Sequence, residues 1–213
     1  MELAQQLFTY MLLVVGALIP IANPFSTAPM FLSLTANFDK AERKKAAKLC
    51  CLYMFLLLTA FLVSGVFLLS FFGITLSSLR IAGGLIIGYL GFRMLFPPHV
   101  ETEQTTKATN ASDIAFVPLA MPMLSGPGSI SVVIAIAAQV GELATTRELV
   151  FGYLTVASGI AISAFICWLV LSASGKVVRF LGQGGIDAMT KVMGFFLISI
   201  GVELVVGSIT KLF

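Results

Sequence analysis

Six apolar stretches, at about 6–36, 47–71, 79–96, 114–139, 148–172 and 189–209, approach or exceed the roughly 20 residues that a helix needs to cross a bilayer. Hydrocarbon offers no water to a bare N–H or C=O, so such stretches fold as helices that satisfy their own backbone. Charge is scarce enough to agree: 11% of the 213 residues are charged and 58% hydrophobic, where a soluble domain carries about 25% charge. The chain reads as an all-α integral membrane protein of six transmembrane helices. Nothing in it suggests a separate soluble domain or a nucleic-acid partner. The partner that composition implies is the bilayer.

Two of the six stretches are interrupted. Pro20, Pro24 and Pro29 recur as Pro118, Pro122 and Pro127, each 98 residues on. Proline removes a backbone donor and glycine permits unusual dihedrals, so neither stretch is expected to run as one continuous helix. A second correspondence links Arg80 and Gly83 to Lys191 and Gly194, each 111 residues on. The chain therefore divides into a first three-helix repeat (1–96), a polar, Thr-rich flexible linker (97–112) and a second three-helix repeat (113–213). Three spans is an odd number, so the second copy inserts upside down. Helices 1 and 4 are then broken at Pro/Gly near the midplane, the pattern of transporters built from inverted halves.

Lysine and arginine set the orientation. Lys40, Arg43, Lys44, Lys45, Lys48, Arg93, Lys107, Lys176, Arg179 and Lys191 share one side, and Arg80, Arg147 and Lys211 the other. Ten against three puts the basic loops in the cytoplasm and both termini outside. A re-entrant course for the broken segments would move Lys176, Arg179 and Lys191 outward, so the charges favour full crossings. Only Glu2 precedes the first apolar run, which lacks a signal peptide's basic flank and is expected to remain as structure.

Asn23-Pro24 has the form of a helix start, an N-cap followed by proline at the first helical position. Ser125-Gly126-Pro127-Gly128 makes the same offer, with Ser129 in the turn that follows. Two helix N-termini near the midplane suit a carboxylate, and the carbonyls freed before them suit an ammonium group. A small zwitterion satisfies both. Asn23, Pro24, Ser26, Thr27, Ser125, Gly126, Pro127, Gly128 and Ser129 are the candidate substrate-binding residues. Ser26, Thr27, Ser125 and Ser129 can instead bond their own helix backbone, and paired prolines can simply kink packed helices.

Few charges lie within spans. Glu203 is a candidate for coupling, and Arg80 and Lys191 for coupling or gating, with interfacial anchoring as their alternative. Arg93 can snorkel to the interface. Gly84-x-x-x-Gly88 allows close helix approach, within the chain or across a homo-oligomer. Cys50, Cys51 and Cys167 read as small apolar residues. His99 has no second ligand, so no metal or cofactor is expected. Gly184-Gly-Ile-Asp187 reads as a loop with a capping Asp. Walker, His-Glu-x-x-His and Gly-x-Ser-x-Gly motifs are missing, which argues against an enzyme.

Ile21-Ala-Asn23-Pro24, Phe72-Gly73-Ile-Thr-Leu76, Leu79-Arg80-Ile-Ala-Gly83-Gly84, Val117-Pro118-Leu-Ala-Met-Pro122 and Ser125-Gly126-Pro127-Gly128 together resemble the hallmarks of the MarC family. Gly182-Gln-Gly-Gly-Ile-Asp-Ala188 and Lys191-Val-Met-Gly194 extend the resemblance over nearly the whole chain. It implies a six-span, multi-pass protein of the bacterial inner membrane, related to SnatA-type transporters of neutral amino acids such as glycine and alanine. It carries Asn23, Pro24, Ser125, Gly126, Pro127 and Gly128 over as positions that line the pathway. Lys191 stands where relatives often have Arg, and Glu203 where some have Gln, which weighs against proton coupling through Glu203. The reading is a secondary transporter working by alternating access. A channel or exporter for another small polar solute and a non-transporting membrane scaffold are its rivals.

Overall fold

The apolar stretches fold as helices in the computed structural model, which describes residues 2–97, 114–141 and 146–210. Most of the expected linker, with His99 and Lys107, and Lys211 lie outside the described residues. In chain order the helices are α1 (Glu2–Ala22), α2 (Pro24–Leu34), α3 (Lys40–Phe71), α4 (Leu76–Leu95), the wide-wound α5 (Ala115–Leu124), α6 (Pro127–Gly141), α7 (Thr146–Ser172) and α8 (Ser174–Ile209). No strand occurs among the described residues. α3, α4, α7 and α8 are each long and apolar enough to cross a membrane, and α1 with α2 makes a fifth such unit bent by 45°. The residues expected as the fourth crossing are shared between α5 and the shorter apolar helix α6.

Local chemistry explains the helix starts. The Glu42 N–H donates to Asp39 Oδ1 at 2.7 Å and the Asp39 N–H to Glu42 Oε2 at 3.1 Å, a reciprocal capping box that opens α3. Removing it with Asp39→Ala should cost about 1 kcal/mol of local stability. Amide hydrogen exchange in the first turn of α3 should then quicken about fivefold, and unchanged exchange would show the cap to be redundant. Between α3 and α4, Gly73 takes φ 66, and Thr75 Oγ1 accepts from the Ser78 N–H at 3.1 Å. That is the physical content of the Phe72-Gly73-Ile-Thr stretch: a left-handed turn residue, then a cap.

α5 departs from an ordinary helix for an identifiable reason. Val117 (φ −123, ψ 124) and Met121 (φ −131, ψ 122) are extended, and each immediately precedes a proline. The proline ring pushes its predecessor out of the helical region, so winding stalls twice within ten residues. α8 is broken too, at Gly182 (φ 61, ψ 179). Its opening part, 174–181, carries Lys176, Arg179 and a Phe180 that is 90% exposed. The sequence reading assigned these residues, and Gly184–Asp187, to a loop. They are helical instead, with Gly182 supplying the break. Asp187 does not cap a helix; its Oδ1 accepts from Gln183 Nε2 at 3.4 Å.

The core forms around α6, whose Gly128, Ser129 and residues from Ser131 to Ala135 are buried. α6 lies against α1, α3, α4 and α7. Outside it, α4 runs along α8, α3 along α7, α1 against α7, α5 against α3, and α2 against α8. Glycines set the closest approaches. A methyl group on Gly84 would lie 2.6 Å from the Gly201 carbonyl oxygen, and one on Gly91 2.5 Å from that of Gly194. Gly84 is thus used within the chain, against α8, while Gly88 has open space over its α-carbon.

Candidate functional site

The two breaks begin with the same device and are bridged in the same way. α2 starts at Pro24 and α6 at Pro127, and proline at the first helical position gives up only an N–H that has no carbonyl to meet. Behind each start a hydroxyl reaches back over the gap. Thr27 Oγ1 donates to the Ala22 carbonyl at 3.3 Å and the Asn23 carbonyl at 3.1 Å, and Ser129 Oγ to the Leu124 carbonyl at 3.2 Å. Thr27 and Ser129 are therefore engaged by their own helices, the alternative role that the sequence left open. The helix starts stand 103 residues apart and these hydroxyls 102. These spacings differ from the 98 at which the prolines recur. Pro29 stays inside α2, while Pro127, its counterpart at 98, opens α6.

Asn23 carries the first break. It is the only non-glycine residue with positive φ among the described residues (φ 35, ψ 67), a conformation that Asn tolerates because its short amide bonds locally. Its Oδ1 accepts from the Ser26 N–H at 3.4 Å, capping α2. Its Nδ2 is buried with no partner. Ser125 repeats the situation at the second break: it is fully buried and its Oγ has no partner. Buried polar atoms are rarely left unpaired, and each unsatisfied one costs about 1–3 kcal/mol.

The breaks come together through their neighbours. A methyl group on Gly128 would lie 2.9 Å from Ile87 Cγ1 of α4 and 3.5 Å from Ile21 Cγ2, two residues before Asn23. A larger residue at this position would have to displace the Ile87 side chain. Pro24 and Gly126 are buried, Pro127 is exposed, and the Gly126 carbonyl accepts from the Ile130 N–H at 3.1 Å. Ile21, Ile87, Val132 and Leu197 pack as one apolar cluster here, with Ile87 and Ile21 beside Gly128.

The charged candidates separate. Arg80 is 8% exposed, and its Nε and Nη2 are buried without partners. Lys191 is exposed and, with Ser26, lines a cavity of about 540 Å³ between α2, α4 and α8. Glu203 is exposed on α8 between Val202 and Val206, which are half exposed themselves. It faces out of the bundle. Sequence reasoning missed the cavity's other members, Gln183 and Thr190 among them. The signal available was Gly182, a glycine inside a helical pattern. No group of three His, Cys, Asp or Glu stands together among the described residues, and the three cysteines are buried free thiols.

Comparison with known proteins also points to a membrane protein. The family model described as MarC family integral membrane protein matches residues 8–213. The proteins named UPF0056 inner membrane protein MarC from Escherichia coli (strain K12) and Shigella flexneri are each 38% identical over 205 residues, 92% of this chain and 91% of theirs. No solved structure matches the chain significantly.

Proposed function

The chain belongs to the MarC family of integral membrane proteins, and from that premise we propose that it is a secondary transporter of small neutral amino acids. The observation that carries the reading is the pair of interrupted helices. Each restarts at a proline, each has one buried polar atom without a partner, and the two meet through Gly128 and Ile21. A neutral amino acid offers what these groups lack. Its carboxylate accepts from helix N-termini and from Asn23 Nδ2, and its ammonium group donates to Ser125 Oγ and to carbonyls before the breaks. Pro24, Gly126, Pro127 and Gly128 hold the breaks in shape, and Ser26, Thr27 and Ser129 border them.

Alternating access at such a site calls for two inverted repeats, 1–96 and 113–213 joined by 97–112. The packing supports them. α1 against α7 has its counterpart in α5 against α3, and α2 against α8 in α6 against α4. Helices α3 with α7 and α4 with α8 pair across the axis that this exchange implies. The glycines refine the register. A shift of 110 carries Gly84 to Gly194 and Gly91 to Gly201, so each close glycine contact maps onto the other. The shift of 111 read from Arg80 and Lys191 does not do this. A 45° bend between α1 and α2 keeps the chain moving forward, whereas a re-entrant hairpin must turn back, and this supports a fifth crossing by α1 with α2. The relatives' inner-membrane location suits the chain, with the basic loops in the cytoplasm and both termini outside.

The test is exchange of labelled alanine and glycine into proteoliposomes of the purified protein, with and without unlabelled amino acid inside. Saturable uptake stimulated by internal substrate is the expected result. Flux without saturation or exchange would make the protein a channel. No flux of any neutral amino acid through folded protein would remove the substrate.

A further inference from the structure

We propose that the cavity between α2, α4 and α8 is the capture site through which the substrate reaches the first break from the basic side, and that it recognises a carboxylate beside an ammonium group. This rests on the transporter reading and names how that site is loaded. The volume, about 540 Å³, lies within the 300–1,000 Å³ common for ligand pockets. Its lining includes Ser26, in the first turn of α2 and three residues after Asn23, so it reaches the helix that starts at the first break.

Its wall is built for charge. Arg93 from the last turn of α4 and Lys191 from α8 both line it. The first two turns of α8 after the Gly182 break supply Gln183, Asp187 and Thr190, so the positive end of that helix lies beside the two cations. Two cations and a helix start favour a carboxylate. Asp187, one carboxylate oxygen of which accepts from Gln183, leaves a second oxygen for an ammonium group. Arg93 and Lys191 therefore do more than anchor helix ends, since both line one open cleft. A wholly apolar solute gains nothing there, and a zwitterion pairs at both ends.

The proposal is tested by binding, not by transport. Thermal unfolding of the full-length protein in phospholipid-free detergent is followed against L-alanine, acetate and ethylamine, which carry both groups, the carboxylate alone and the amine alone. L-alanine and acetate should stabilise saturably, and ethylamine should not. Arg93→Gln with Lys191→Gln should raise the half-saturating concentration of both at least tenfold. Asp187→Asn should weaken L-alanine several-fold and leave acetate unchanged. These side chains are exposed, so the variants should unfold as cooperatively as wild type, and Lys191→Arg should retain binding. Unchanged L-alanine and acetate binding in the double variant overturns the site, as does absence of any carboxylate binding in folded wild type. Stabilisation by phosphatidylglycerol alone, lost with Lys191, overturns it in favour of a lipid headgroup. If acetate binds through Lys191 while no neutral amino acid binds, the pocket is a carboxylate site only, and its recognition of a zwitterion is overturned. If alanine exchange saturates identically in the double variant, the transporter stands and the capture site falls.

Discussion

Alanine exchange should fall at least a hundredfold in Asn23→Leu, at equal insertion into the membrane. Leucine at this position faces three penalties at once. The left-handed conformation (φ 35) costs a residue with an ordinary side chain about 1–2 kcal/mol. Loss of the Oδ1 bond to the Ser26 N–H removes a cap worth about 1 kcal/mol. Loss of Nδ2 removes the buried donor left for a substrate carboxylate, and hydrogen bonds to charged groups are worth about 1.5–3 kcal/mol, roughly ten- to a hundredfold in affinity. Two further substitutions separate these effects. Asn23→Gly keeps the backbone conformation but loses cap and donor, so it should still insert and should exchange poorly. Asn23→Asp keeps the cap acceptor and sets a carboxylate oxygen where Nδ2 was, so it should raise the half-saturating concentration ten- to a hundredfold, with a loss of stability from the buried charge. If glycine and aspartate both exchange like wild type and only leucine fails, Asn23 shapes the break and does not meet the substrate.

The first break was legible in the sequence because its signals are local. An N-cap residue, a proline at the first helical position and a hydroxyl three residues later act within one turn, and all three do in the structure what their chemistry dictates. The second break was legible as a break but not in its form. Two prolines four residues apart stall the helix at Val117 and Met121, and the wide winding that results depends on how α3 receives it. The prolines recur at 98, whereas the helices restart at Pro24 and Pro127, 103 apart, because Pro29 stays inside α2 while Pro127 opens α6. The start of α8 was hidden because Lys176, Arg179 and Gly182 look like loop composition. A charged helix lying outside the apolar core carries no periodicity that sets it apart from one. The cavity was out of reach altogether, since its members come from three helices and only the fold brings Ser26, Arg93 and Lys191 to one space.

The largest effect on stability should come from Gly201→Ala. A methyl group there would lie 2.5 Å from the Gly84 carbonyl oxygen, 2.8 Å from the Gly88 nitrogen and 3.1 Å from the Gly88 α-carbon. All three are backbone atoms of α4, so no side chain can swing away and the helices must part. Overpacking of this kind costs about 1–3 kcal/mol or more, and the weak C–H···O contacts of a close helix pair are lost with it. At the upper figure the melting temperature of a chain this size should drop by roughly 6–12 °C. Gly88→Ala is the matched control: its methyl group meets nothing within 4 Å, and alanine is the better helix former, so melting should be unchanged or slightly higher. Fluorescence-detected size exclusion after heating reads both variants. Equal melting of Gly201→Ala and wild type would mean that α4 and α8 do not meet through their glycines. The seam then also bears on transport. On the proposed transporter reading, α4 and α8 belong to different repeats and meet on the axis that would relate them, so a bulky residue at Gly201 would separate the halves where alternating access needs them to pivot. Exchange should therefore fall in Gly201→Ala even below its melting temperature, while Gly88→Ala exchanges normally. A protein that loses stability but keeps its full exchange rate would show that the seam holds the fold without serving as the pivot.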